Sequence, residues 1–133
     1  MIDGIAGIVL KLNTEYEDLE TYLQGIRKSK CYNVPKIKNK PGYKYLVPDQ
    51  WLMIYDPGKE AITVVGKVMK QKDDPDNPEF PCFNYFDPAN LHFPGHMKLR
   101  LRFLERVFDN FRSSRRYRNI SDEQFDRLMA QLR

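Results

Sequence analysis

Residues 51–69 read WLMIYDPGKEAITVVGKVM, and the architecture follows from them. Trp51 to Tyr55 is an unbroken apolar run closed by turn residues, the pattern of a strand covered on both sides. Asp56-Pro57-Gly58-Lys59 combines the residue types that reverse a chain. Ala61 to Met69 returns as a second strand rich in β-branched side chains. A β-hairpin over 50–69 is therefore the anchor around which the rest must pack.

On its N-terminal side, Ile2 to Leu12 reads as a strand, with Gly4 and Gly7 weakening it but allowing close packing. Thr14-x-x-Glu17 is a capping box opening a helix, whose apolar stripe is Tyr16, Leu19, Leu23 and Ile26. Residues 29–42 read as loop, and Tyr43 to Val47 as a short strand. On the C-terminal side, residues 71–96 are rich in proline and read as one long loop. Its aromatics (Phe80, Phe83, Tyr85, Phe86, Phe93) argue against disorder, so it is expected to fold back and line a cleft. Met97 to Phe103 alternates: Met97, Leu99, Leu101 and Phe103 face one way, Lys98, Arg100 and Arg102 the other, as in a strand. Leu104, Val107, Phe108 and Phe111 fit either a helix stripe or an irregular strand. Ser113 to Asn119 reads as a basic turn. Ser121-x-x-Gln124 is a second capping box, and Phe125, Leu128, Met129 and Leu132 form the stripe of a final helix. There is no repeat and no sign of a second domain within 1–133. The fold class expected is α+β: a small, partly closed, strongly bent mixed β-barrel with a helix near each end.

Composition narrows the chemistry. The 133 residues carry 22 Lys and Arg against 18 acids, a formal charge of +4. The charge is uneven. Residues 27–44 hold seven cations and no acid, residues 98–118 eight cations against Glu105 and Asp109, and residues 73–93 five acids and no cation. Two basic segments meeting in space would favour polyanions; scattered, they would only keep the chain soluble. No stretch of about 18 apolar residues offers a membrane span, and Ile2 to Leu10 reads as a strand rather than a signal peptide. Two cysteines, Cys31 and Cys82, exclude a disulfide framework and a four-cysteine zinc site. His92 and His96 have helical metal spacing, but Pro94 and Gly95 between them forbid the helix. The acids at 73–76 lack calcium-loop spacing. No phosphate-binding glycine loop, nucleophile elbow or HExxH motif occurs. No cofactor or metal is expected, and the composition fits an intracellular domain with reduced thiols, cytoplasmic or, in a eukaryote, nuclear.

Four segments, in order, resemble the EVE and ASCH branches of the PUA-like superfamily. They are Asp49 to Tyr55 with Ala61 to Val68; Asp73-Asp74-Pro75 with Tyr85-Phe86-Asp87-Pro88; Met97 to Phe103; and Arg118-Asn119-Ile120-Ser121-Asp122-Glu123-Gln124-Phe125. The chain departs from that pattern in having no Trp on its first strand and Pro48 before Asp49. The resemblance implies nucleic-acid binding, DNA or RNA, with a plain or modified base held in an aromatic cleft. It would put Tyr55 on the hairpin facing the cleft, and Tyr85 and Asp87 on the covering loop.

Such a site needs aromatic faces for stacking, polar groups to read a base edge, and cations for flanking phosphates. Trp51, Tyr55, Phe83, Tyr85 and Phe86 are the stacking candidates. Asp87, Asn84 and Asn90 are the edge readers. Lys98, Arg100, Arg102, Arg115, Arg116 and Arg118 are the phosphate ligands. The aromatics have competing roles: Trp51 in the core, Phe83 and Phe86 as anchors that pin the loop to it, and Tyr55 on either side. Two other functions compete. Tyr43 to Lys67 also resembles the central hairpin of RelE-type ribosome-dependent RNases, in which Lys67, Lys70 and Arg118 would orient phosphate. A protein-interaction adaptor, of the phage or defence-system kind, would bind a protein partner instead.

Overall fold

The hairpin forms where its sequence puts it. β3 (Trp51–Asp56) and β4 (Ala61–Asp73) pair antiparallel from Trp51↔Lys67 to Asp56↔Ala61. Asp56 closes the turn, its Oδ1 accepting from the backbone N–H of Gly58 at 2.8 Å and of Lys59 at 3.3 Å. Thr63 is the extra residue of a bulge between the rungs Ile54↔Val64 and Tyr55↔Ile62. The computed structural model describes residues 4–12, 19–34, 46–73, 75–76, 82–95, 97–111 and 117–133.

Around the hairpin stand β1 (Ile5–Lys11), β2 (Cys31–Val34), β5 (Cys82–His92) and β6 (Tyr117–Ser121), in the sheet order β2-β5-β4-β3-β1-β6. β1 runs parallel to β3, and every other pairing is antiparallel. The sheet curls into a half-barrel. Among the described residues three helices complete it: α1 (Leu19–Ser29), α2 (Leu101–Val107) and α3 (Asp122–Leu132).

Strand alternation sends apolar side chains to both faces. Ile8, Leu10, Leu52, Ile54, Val68 and Phe86 meet Tyr22, Leu23 and Ile26 of α1 in one core. Val9, Met53, Tyr55, Val65 and Ile120 meet Leu101, Leu104, Val107 and Leu128 of α2 and α3 in the other. The Tyr22 hydroxyl is satisfied by Thr63 Oγ1 at 2.6 Å, which the bulge turns toward α1. The expected capping box of α3 is present: Ser121 Oγ accepts from the Gln124 N–H at 3.1 Å, and Gln124 Oε1 from the Ser121 N–H at 2.9 Å.

Five expectations are corrected. Residues 29–42 are not all loop, because Cys31–Val34 pair with β5 as β2, and the expected basic turn at 113–119 gives its last three residues, Tyr117 to Asn119, to β6. Residues 71–96 are not one long loop, because β5 occupies eleven of them. The strand tolerates Pro88 because residues 87–90 bulge out between the rungs Val68↔Phe86 and Gly66↔Leu91, where a missing N–H costs no ladder bond. Met97 to Phe103 is not a strand. One antiparallel bridge, Ala61↔Arg100, is made, and α2 then begins at Leu101. Two periods overlap there, and the helical one wins because it buries Leu101, Leu104 and Val107 together. The described part of the expected strand 43–47, Leu46 and Val47, does not join the sheet; Val47 opens a turn in which the Gln50 N–H donates to its carbonyl at 3.1 Å. The Thr14-x-x-Glu17 box lies outside the described residues.

Candidate nucleic-acid interface

Beyond the apolar part of β4, the sequence changes to Lys67-Val68-Met69-Lys70, and the sheet face opposite α1 becomes polar there. Trp51 and Lys67 are cross-strand partners. Trp51 is half-buried, with its ring centroid 4.9 Å from that of Phe125 on α3. The β5 bulge lies opposite Lys67. Within it, Asp87 Oδ1 accepts from the Ala89 N–H at 3.0 Å and Oδ2 from the Asn90 amide at 2.8 Å. The Asn90 bond, then the Ala89 N–H, hold the Asp87 carboxyl below its ordinary range, helped by the charge of Lys67 and opposed by desolvation. Farther along, Lys70 Nζ stands 5.0 Å from the Tyr85 ring centroid, and Phe83 lies 6.4 Å from Tyr85. The half-buried Tyr85 sits next to Phe86, which points into the α1 core, so Tyr85 is on the Trp51 side. Trp51, Lys67, Lys70, Tyr85 and Asp87 thus form one strip across three strands.

The other candidates stand elsewhere. Phe86 is 1% exposed and lies over Gly66, where an added Cβ would be 2.5 Å from its ring. Tyr55 is 7% exposed and meets Phe111 edge to face at 5.0 Å. Protein fills the space beside both rings, so the expectation that they face a cleft is not met. Asn84, 1% exposed, accepts from the Gln71 amide at 2.7 Å and donates to the Tyr32 carbonyl at 3.3 Å, so its polar groups are spent inside the fold. The Arg118 guanidinium stands 5.6 Å and 5.7 Å from the ring centroids of Phe108 and Phe111 and donates to the Asn110 carbonyl at 3.2 Å. It lies on β6, three strands from β4, so it does not converge with Lys67 and Lys70 as the nuclease reading required. Arg115, Arg116 and His96 lie outside the described residues. Lys98, Arg100 and Arg102 are exposed and gather at the hairpin turn, at the far end of β3 from Trp51, where they line an open groove of about 620 Å3.

Sequence reading placed Lys67 and Lys70 only in the nuclease alternative. The signal for their place beside the aromatics was the change from Ala61-Ile62-Thr63-Val64-Val65 to a lysine-rich continuation of the same strand. Among the described residues, no cluster of three or more metal-ligating side chains occurs, and no helix is long and apolar enough to cross a membrane.

No protein-family description and no curated protein sequence matches the chain. Its structure does match solved ones. A serine-to-alanine variant of ZmASCH from Zymomonas mobilis superposes with a TM-score of 0.62 at 12% identity, over 97% of this chain and 98% of that chain. A tyrosine-to-phenylalanine variant of the same protein gives 0.59 at 11% identity, over 94% and 97%. The architecture is therefore α+β and PUA-like. Its fold resembles that of ZmASCH, the ASCH branch to which the sequence segments are similar.

Proposed function

We propose that this domain binds single-stranded RNA and holds one base, plain or modified, on the strip that carries Trp51 and Tyr85. The observation that carries this reading is the interleaving of the half-buried aromatics Trp51 and Tyr85 with Lys67 and Lys70 on one sheet face. Stacking on an aromatic face supplies about 1–3 kcal/mol per base, and the ammonium groups neutralise the phosphates beside it. Asp87, kept ionised at neutral pH, is an acceptor only. It suits a base that presents N–H groups at its edge.

The test is fluorescence anisotropy with labelled RNA and DNA oligonucleotides, modified and unmodified, at two salt concentrations. Tyr85→Ala is expected to weaken RNA binding about 5- to 150-fold, the equivalent of one lost stack, with a small change in melting temperature. Unchanged affinity for Tyr85→Ala would remove the base site. Bound RNA recovered at full length separates a binding domain from a nuclease.

A further inference from the structure

The cations at the hairpin turn stand apart from the aromatic strip. Five rungs of β3 separate Trp51↔Lys67 from Asp56↔Ala61, and Arg100 bridges Ala61. At about 3.3 Å per residue this is roughly 17 Å. The segment carrying the cations is fixed by backbone bonds: the Ile62 N–H donates to the Leu99 carbonyl at 2.9 Å, and the Leu101 N–H to the Glu60 carbonyl at 2.7 Å. Lys98, Arg100, Arg102 and Arg106 line the open groove, where Glu60 and Glu105 are the acids. The groove also presents Met97, 61% exposed, giving it an apolar patch among the charges. α3 joins the two places, since Phe125 packs on Trp51 and Gln131 lines the groove.

We infer that the groove is a second contact site, separate from the base strip, that holds the sugar-phosphate backbone of the same RNA strand. The inference rests on the proposed base site for its ligand and adds a length requirement. A stacked strand carries one phosphate per about 3.4 Å, so about five nucleotides lie between the Trp51 end of the strip and the groove, and more from Tyr85, which pairs with Lys70 farther along β4. Guanidinium groups match phosphate oxygens in pairs, and the thioether of Met97 offers contact to a sugar or base without choosing among sequences.

The experiment compares a trinucleotide with a 12-nucleotide RNA of the same composition, on the wild-type chain, on the exposed pair Arg100→Ala/Arg102→Ala, and on Tyr85→Ala. The groove pair is expected to weaken the 12-mer alone. It should also reduce the slope of log affinity against log salt by about 1.4, two contacts at about 0.7 each for a single strand. An unchanged slope and affinity for the 12-mer would overturn the groove site. So would an equal loss for both lengths, which would mean that strip and groove act as one place. If Tyr85→Ala changes neither RNA while the groove pair still weakens the 12-mer, the groove stands as a phosphate site and the base strip falls. Circular dichroism melting of each variant separates lost binding from lost folding.

Discussion

Gly66 has no side chain because the Phe86 ring occupies the place where one would stand. This contact explains two residues at once. A strand interior ordinarily gains nothing from glycine, and a phenylalanine after a tyrosine reads as part of an aromatic surface; together they are a ring laid on bare backbone. Phe86→Ala is expected to cost about 3–5 kcal/mol through the cavity left behind, and Gly66→Ala about 1–3 kcal/mol through overpacking. In the double variant the new methyl enters the space vacated by the ring, so the two costs should fall short of additive by about 0.5–3 kcal/mol. Urea denaturation of the four proteins measures this, and strict additivity would mean that the two residues do not touch. Gly7 shows the same device on the other side of the hairpin: a Cβ there would lie 1.9 Å from the Trp51 carbonyl oxygen. The sequence shows a glycine at each position, but the atom that excludes a side chain belongs to another strand.

Local signals were legible at the scale of elements, and long-range ones were not. The hairpin turn at Asp56 and the Ser121 box are closed by residues two or three positions apart, so sequence alone locates them. β5 was hidden because its proline is accommodated by a bulge set by the register against β4, information held some twenty residues away. α2 was misread because Leu99 and Leu101 satisfy a period of two, while Leu101, Leu104 and Val107 satisfy the helical one. Ser121→Ala is expected to cost about 1 kcal/mol. Because α3 carries Phe125, the consequence reaches the candidate site. The urea midpoint should fall, and the emission of Trp51, the single tryptophan, should shift as its partner loosens. A lower midpoint with unaltered native emission would show that α3 does not position Trp51.

Across the whole molecule, the sheet gives one face to α1 and shares the other between helices and a polar strip. Of the side chains that the sequence offers to a base, Trp51, Tyr85 and Asp87 lie on one face of the sheet, while Tyr55 and Phe86 went to the two cores. Sequence reading could not divide them, because WLMIY and NYFDP are apolar or aromatic on both faces and alternation alone does not say which face is covered. Nor could it show that Lys98, Arg100 and Arg102 gather at the opposite end of β3 from Trp51, which depends on the bridge between Ala61 and Arg100. RNA affinity should fall steeply with salt and do so alike across sequences, since phosphate contacts carry no sequence information.

β1 lies between β3 and β6, so a segment near position 8 is bonded on one side to residues near 52 and on the other to residues near 119. Its second neighbour is joined to it by a loop more than a hundred residues long, and closing such a loop is slow even when the pairing is stable. As the ribosome delivers the chain, β1 must wait with one edge unpaired until β6 arrives. That edge is where a nascent molecule is open to pairing with a neighbour instead of itself.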